Sequence, residues 1–294
     1  MTLDAALFRP RLNRRRHVGR LFAGLFIIMT FFGMAVLSIL IYRIVQDGWP
    51  WLSWKLIHNF PSVLFPREAG VKSALWGTLW MIALTILFAV PTGIGAAVYL
   101  EEFAPKHAFV RLIQINIANL AGVPSIVYGM LGLAVFVRFM EMGRSVLAGA
   151  MTMSLLILPV IVIASQQALA AVPQTMRHAA LALGATRWQV VWSHVLPAAA
   201  PGIVTGVLLS VSRALGETAP LIMIGALSYV AFVPEGPLDE FTVMPIQIYD
   251  WCVRPQEVFH HLAASAIVVL LGGLLLLNMA AIGIRLAFQR NRAW

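Results

Sequence analysis

Residues Leu75–Leu100 read LWGTLWMIALTILFAVPTGIGAAVYL, and none of them carries a charge. Crossing about 30 Å of hydrocarbon takes roughly 20 apolar residues in a helix, so this run is long enough to span a bilayer. Lipid offers no partner to a free backbone N–H or C=O, and a barrel strand would alternate polar and apolar residues. The run therefore predicts a transmembrane α-helix.

Runs of similar length and hydropathy cover most of the remaining chain. Of the 294 residues, 60% are hydrophobic and only 11% are charged, whereas a soluble domain carries about a quarter charged residues. We predict an all-α polytopic membrane protein with six transmembrane helices. Residues 1–20 are predicted to be a basic cytoplasmic segment, and residues 21–294 the transmembrane domain. The other five predicted helices are Leu21–Ile44, Leu112–Val137, Val146–Ala164, Ile203–Ile224 and Leu262–Leu286.

The placement of the basic residues predicts which side of the membrane each loop occupies. If the N-terminus is inside, 13 of the 21 lysines and arginines fall in cytoplasmic segments, 7 fall outside, and Arg213 lies within a span. Because cytoplasmic loops carry the excess of Lys and Arg, this bias favours an inner-membrane protein with both termini cytoplasmic. The tract Arg9–Arg20 adjoins a span, so it suits anionic membrane lipids and not nucleic acid. The single cysteine, Cys252, excludes an internal disulfide and a cysteine-based metal cluster.

Between the fourth and fifth predicted helices lies the stretch VPQTMRHAALALGATRWQVVWSHVLPAAAPG, at Val172–Gly202. It predicts two short helices, roughly Gln174–Leu183 and Arg187–Val195, with a corner at Gly184, since glycine reaches positive φ without a Cβ clash. Pro197 is predicted to lie just past the second helix. Such an amphipathic pair either docks into a groove of a soluble partner or lies flat on the membrane, and its physics alone favours neither.

The residues His178-Ala179-Ala180, Gly184 and Leu196-Pro197 resemble the signature loop of binding-protein-dependent ABC importer permeases, although His178 replaces the glutamate of the E-A-A pattern. The resemblance implies a MetI-like transmembrane domain whose coupling-helix loop, at about residues 172–202, inserts into a cytoplasmic ATPase subunit. The chain has no G-x-x-x-x-G-K-[ST] motif, so ATP binding must come from another chain. The residues that the resemblance assigns to ATPase coupling are His178, Ala179, Ala180, Leu183, Gly184, Ala185 and Trp188.

The fifth predicted helix carries two charges in the run Ser212–Thr218, SRALGET. On the insertion scale Arg213 and Glu217 together cost roughly 5–7 kcal/mol, while the ten Leu, Ile and Val residues of this helix return about 3–6 kcal/mol. The charges must therefore face protein or water, and their i, i+4 spacing places them on one helix face. They either pair with each other or form a substrate site near the membrane midplane, where ionisable residues usually mark ion pathways.

The residue types favour an oxyanion as substrate. The planar fork of donors on Arg213 matches phosphate or sulfate oxygens, and its charge does not titrate. The carboxylate of Glu217 repels a bare anion but can accept a proton from the ligand. Phosphate carries such a proton at neutral pH and sulfate does not, so the pair favours phosphate.

Three segments resemble the phosphate-importer permeases of the same family: Asn119–Gly129, Ser212–Leu221 and Pro245–Tyr249. The resemblance implies alternating access, with inorganic phosphate as cargo and with a second phosphate permease subunit, two ATPase subunits and an extracytoplasmic phosphate-binding protein as partners. It implies a transport subunit and not an enzyme, with no catalytic residue, no cofactor and no metal. The implied substrate-binding residues are Arg213, Glu217, Ser212, Thr218, Ser125 and Tyr128.

Other interpretations remain open from the sequence. Some phosphate permeases carry an arginine near the end of the fourth span, and Pro159–Ile163 has none, so a second arginine would come from the partner subunit. The chain could carry another oxyanion, such as sulfate, molybdate or phosphonate. It could be a proton-coupled secondary transporter in which Glu217 titrates, or a regulatory membrane scaffold. The spacing Gly202-x-x-x-Gly206 further predicts tight helix packing.

Overall fold

The computed structural model describes residues 12–105, 107–226 and 229–290. Residues 1–11 of the predicted N-terminal segment lie outside these ranges. So do Lys106 and Arg292, two of the basic residues counted in the predicted cytoplasmic segments. Within them the backbone is almost entirely helical, and the β structure is a single isolated bridge between Ser145 and Glu240. This agrees with the predicted all-α fold.

Twelve α-helices form the described part of the chain, and π-helical turns extend three of them. The π turns are Tyr99–Phe103, Leu133–Phe139 and Val191–Val195. The helices are α1 (Leu12–Gly48), α2 (Trp54–His58), α3 (Lys72–Val98), α4 (Ala108–Ala121), α5 (Ser125–Gly132), α6 (Val146–Ala170), α7 (Gln174–Ala182), α8 (Arg187–Val190), α9 (Leu196–Gly216), α10 (Ala219–Ile224), α11 (Met244–Val253) and α12 (Glu257–Arg290).

In these ranges five helical segments are long and apolar enough to cross a membrane, and the bent pair α4–α5 makes a sixth. The predicted number of spans is therefore confirmed. The predicted ends were too short: α1 and α12 run past both ends of Leu21–Ile44 and Leu262–Leu286. Helical hydrogen bonding continues into the headgroup layer, whereas the apolar composition on which the prediction rests ends with the hydrocarbon.

The third predicted span, Leu112–Val137, is not a straight helix. The chain changes direction by 101° between α4 and α5. Pro124 provides the reason, because it has no N–H to donate and disfavours helical backbone at the residue before it. Tyr128 holds the bend, since its buried side chain donates a hydrogen bond from the hydroxyl to the carbonyl of Leu120 at 2.8 Å.

The fifth predicted span, Ile203–Ile224, is wrong at both ends. A continuous helical segment begins at Arg187 and runs through Pro197 and Pro201 to Gly216. Pro197 therefore does not end the preceding helix as predicted. The π turn Val191–Val195 ends two residues before Pro197. It changes the pattern of backbone hydrogen bonds close to the position where the proline nitrogen has no hydrogen to donate.

The centre of the molecule is formed by α3, α6 and α9, which pack side by side. Small residues bring α6 and α9 close together, as the glycine spacing predicted. An ideal Cβ on Gly202 would lie 2.8 Å from the Cβ of Ala168, and one on Gly206 would lie 2.5 Å from the Cβ of Ala164. Any side chain at these two positions would push the helices apart.

Candidate functional site

Arg213 lies in the last turn of α9 on an exposed face of that helix. Leu209 and Gly216 share its exposure, whereas Ala214 next to it is buried. The Arg213 side chain is 52% exposed. A charge that faces lipid is costly, so this face of α9 has to meet water or another protein.

Glu217 lies just beyond α9 and not within it, which corrects the predicted helical spacing. Its backbone is extended, with φ −78° and ψ 120°, and its N–H donates to the carbonyl of Ala214 at 3.2 Å. Pro220 explains the break, because a proline ring clashes with the carbonyl four residues earlier, here that of Gly216. The Glu217 side chain nevertheless turns back to Arg213, whose Nε donates to its Oε1 at 3.4 Å.

The Arg213–Glu217 pair is not sealed inside the chain. Its separation of 3.4 Å is long for a charge-assisted hydrogen bond, which is usually about 2.7–2.9 Å. Within the described ranges Arg213 makes no other hydrogen bond, and a guanidinium carries about five N–H donors. Most of these donors remain available to an anion, so pairing with Glu217 and binding of a substrate do not exclude each other.

Asn278 of α12 is a polar contact of this region that the sequence analysis missed. The hydroxyl of Ser212 donates to its Oδ1 at 3.0 Å, one residue before Arg213. This bond joins α9 to α12. The sequence held a signal for it, because Asn278 is the only amide side chain in the apolar run Leu262–Leu286.

The other predicted substrate-binding residues belong to α5 and the start of α10, two helices that pack on each other. Ser125 is the first residue of α5, Thr218 directly precedes α10, and both are half-buried. Gly129 permits the contact, since an ideal Cβ there would lie 2.6 Å from the Cα of Pro220. Of the predicted substrate-binding residues, Arg213 and Glu217 contact each other directly. The hydroxyl of Tyr128 bonds instead to the carbonyl of Leu120 and holds the bend before α5.

The stretch Val172–Gly202 begins with two helical segments that meet at a corner at Gly184, as predicted, but the second segment continues through Pro197 into α9 instead of ending near Val195. Gly184 has φ +85°, the left-handed conformation that favours glycine. Helix α8 begins with a capping box: the Oγ1 of Thr186 accepts from the N–H of Gln189 at 3.3 Å, and the Oε1 of Gln189 accepts from the N–H of Thr186 at 2.8 Å. The corner is therefore specified on both sides by local backbone chemistry.

Most of the predicted coupling residues form an exposed surface at this corner. Leu183 is 89% exposed and Trp188 is 60% exposed. The exposed members of the predicted set are His178, Ala179, Leu183, Gly184 and Trp188, while Ala185 is half-buried and Ala180 is buried. This apolar surface needs a cover, which either a groove of a soluble partner or the membrane surface can provide.

One buried charge in the loop was also missed. Arg177, counted by the sequence analysis only as a cytoplasmic positive charge, is turned inward and is 8% exposed. Its guanidinium bonds to Glu102, in the π turn that follows α3. No local pattern identifies this pair, because 75 residues separate its members.

Comparison with known proteins assigns the chain to a family. Residues 89–291 match the family model described as "Binding-protein-dependent transport system inner membrane component". The chain is 32% identical over 295 residues to Phosphate transport system permease protein PstA 1 of Mycobacterium tuberculosis, covering 97% of this chain and 94% of the relative. It is 32% identical over 280 residues to PstA of Haemophilus influenzae, covering 95% and 96%.

A solved structure has the same fold. A chain of a bacterial alginate ABC transporter, crystallised with a pentasaccharide-bound periplasmic protein, superposes with a TM-score of 0.65. The match covers 92% of this chain and 96% of that one at 15% sequence identity. The MetI-like architecture predicted from the loop signature is therefore confirmed.

Proposed function

The chain belongs to the family of binding-protein-dependent transport system inner membrane components, and within that family we propose that it is the permease subunit of an ATP-driven phosphate importer. It is a multi-pass inner membrane protein and a transport component, not a catalyst. The observation that carries the proposal is Arg213, a half-exposed arginine on an otherwise apolar helix face, with Glu217 beside it. The names of the relatives at 32% identity support phosphate as the cargo.

Arg213 binds the anion through guanidinium donors that Glu217 leaves free. A phosphate that arrives with one or two protons donates a hydrogen bond from a P–OH group to the Glu217 carboxylate and accepts hydrogen bonds from Arg213 on its other oxygens. Sulfate has no proton to donate and meets the carboxylate only as a like charge. The geometry thus supports phosphate over sulfate through a single acidic side chain.

In the proposed site Ser212, Thr218 and Ser125 add neutral hydroxyl groups, and Tyr128 positions α5 through its bond to Leu120. The exposed face of α9 turns towards the translocation pathway, which a second permease subunit of the PstC type completes. Any further phosphate-binding arginine comes from that subunit. The pathway opens alternately to each side, so Arg213 exchanges water for phosphate and back again.

The exposed loop at Gly184 docks into an ATPase subunit of the PstB type, two of which serve the importer. Its coupling residues are His178, Ala179, Ala180, Leu183, Gly184, Ala185 and Trp188. In this arrangement both termini are cytoplasmic, residues 1–20 form the basic inner segment, and a phosphate-binding protein docks on the opposite side. The apolar exposure of Leu183 and Trp188 supports docking.

Replacing Arg213 tests the proposed anion site. We expect Arg213→Gln to abolish uptake of labelled phosphate into vesicles that contain the assembled importer, because the ligand loses its only cation on this chain's site. Arg213→Lys keeps the charge but not the planar fork, and should retain uptake with a KM raised about tenfold. Co-purification with the partner subunits reports assembly.

The matched control is Arg67→Gln, which removes an exposed arginine in the turn Pro66–Glu68. Uptake should equal wild type in that variant. Normal uptake by Arg213→Gln in a fully assembled complex would refute the anion site. Inhibition of wild-type uptake by equimolar sulfate would favour a general oxyanion carrier, and uptake that persists without ATPase subunits but collapses with an uncoupler would favour secondary transport.

A further inference from the structure

The first helix of the coupling loop is fixed to the membrane helices by one side chain. Arg177 lies on α7, next to the exposed residues His178 and Ala179, yet its own side chain is only 10% exposed. The charge thus faces the body of the permease, while its neighbours face the cytoplasmic side of the loop. Arg177 therefore lies one residue from the exposed surface of the loop.

The guanidinium of Arg177 bonds to two other elements. Its Nη2 donates to Oε1 of Glu102 at 2.6 Å and its Nε donates to Oε2 at 3.3 Å, a two-pronged pair with the π turn that extends α3. Its Nη1 donates to the carbonyl of Val172 at 2.5 Å and its Nη2 to that of Leu169 at 2.8 Å, at the C-terminal end of α6. Three elements therefore meet on one planar group.

Only arginine can make this set of bonds, because its donors form a fixed fork whereas lysine offers one flexible ammonium. The carboxylate of Glu102 is also only 10% exposed. Burying two charges gives little net stability even when they pair well, but it fixes their geometry, since separating them leaves a charge without a partner. Such a joint resists bending and transmits displacement.

The helix that Arg177 holds is the one that packs against the anion-binding helix. Leu169 and Val172 lie at the end of α6, and the glycine contacts at Ala164 and Ala168 join α6 to α9 just before that end. A displacement of the loop therefore reaches α9, which carries Arg213, through close-packed backbone and a short ion pair.

We infer that the Arg177–Glu102 pair is the rigid joint through which movement of the coupling loop is transmitted to α3 and α6. The inference rests on the proposed function, because it assumes that an ATPase moves this loop. Arg177 and Glu102 are positioning residues and touch neither phosphate nor ATP. Loosening the joint lets the loop move without moving the helices, so ATP hydrolysis continues while transport falls.

The test compares phosphate uptake per ATP hydrolysed in proteoliposomes of the complete importer. We expect Arg177→Lys to lower this ratio roughly tenfold, with the ATPase subunits still bound and hydrolysis still measurable. The matched control is Arg285→Lys, an exposed arginine at the end of α12, which should leave the ratio unchanged. An unchanged ratio in Arg177→Lys would overturn the inference.

A second pair of variants separates transmission from folding. Glu102→Gln leaves the Arg177 charge buried without a counter-charge, and the importer should then be less abundant and melt at a lower temperature. The double variant Arg177→Gln/Glu102→Gln removes both charges, so abundance should recover while uptake per ATP stays low. If abundance and uptake per ATP both recover in the double variant, the pair only stabilises the fold, and the inference fails.

These outcomes differ from those that would overturn the proposed function. If the wild-type complex does not take up phosphate, the function is wrong and the joint has nothing to transmit. If wild type takes up phosphate, Arg213→Gln does not, and the Arg177 variants couple normally, then only the inference about the joint is wrong.

Discussion

At the scale of single residues, two arginines of this chain meet opposite environments. Arg177 is buried with four hydrogen bonds, and Arg213 is half-exposed with one long bond to Glu217. A guanidinium with four hydrogen bonds is held in place, whereas one with most of its donors free can exchange partners. The first therefore suits a structural joint and the second suits a site where an anion binds and leaves.

Glu217 should set the choice between phosphate and sulfate. We expect Glu217→Gln to let sulfate inhibit phosphate uptake at a concentration about tenfold lower than in wild type, because the repelling carboxylate is gone and an amide can donate to a bare anion. The measurement is uptake of labelled phosphate over a sulfate titration. The control is Glu68→Gln, at an exposed position in the turn Pro66–Glu68. Unaltered sulfate inhibition in Glu217→Gln would exclude the carboxylate as a selectivity element.

At the scale of elements, the corner between α7 and α8 depends on backbone conformation alone. An ideal Cβ on Gly184 would meet no atom within 4 Å, so a side chain has room there. The constraint is φ +85°, which costs an L-residue roughly 1–2 kcal/mol. A substitution therefore acts through strain and not through a clash.

A pair of substitutions at Gly184 tests this. Gly184→Val should lower phosphate-stimulated ATP hydrolysis of the importer several-fold, because a β-branched residue resists positive φ and displaces the docking surface. Gly184→Asn should remain close to wild type, since asparagine tolerates this conformation best among residues with a side chain. Equal activity of the two variants would mean that the corner is not needed for coupling.

At the scale of the whole molecule, the isolated chain has surfaces that it does not cover itself. The exposed face of α9 carries a charge, and the loop at Gly184 carries large apolar side chains. A membrane charge needs water or protein around it, and an apolar loop surface needs a partner. Both surfaces fit a subunit that works only within a larger complex.

Cys252 tests the proposed orientation of that complex in the membrane. The cysteine is exposed on α11, on the side opposite to the coupling loop in the proposed topology. We expect a membrane-impermeant maleimide to label it in intact cells. Partial burial of the thiol raises the pKa of Cys252, so less thiolate is present at neutral pH and labelling should accelerate as the pH rises from about 7 to about 9.

The control for this experiment moves the cysteine across the membrane. In a Cys252→Ser background, Arg187→Cys places a thiol at an exposed position of the coupling loop. It should react only after the cells are permeabilised. Labelling of the Arg187→Cys variant in intact cells, with protection of wild-type Cys252, would reverse the assigned topology.

The sequence by itself determined the features that depend on neighbouring residues. Apolar runs of spanning length fixed the number of membrane helices, and Gly184 fixed the corner of the loop. The breaks near Pro124 and Pro220 do not follow from the sequence, because a proline in a membrane helix is either absorbed, as Pro197 is by a π turn, or bends the chain. Composition does not distinguish these outcomes.

Only the tertiary structure decided which polar side chains face the interior. Arg177 pairs with Glu102 across 75 residues, and Ser212 with Asn278 across 66. Each bond depends on how a helix is rotated against its neighbours, and that rotation is set by contacts such as Gly206 on Ala164. Local hydropathy measures whether a segment enters the membrane, but the direction of a side chain follows from packing between segments that are distant in sequence.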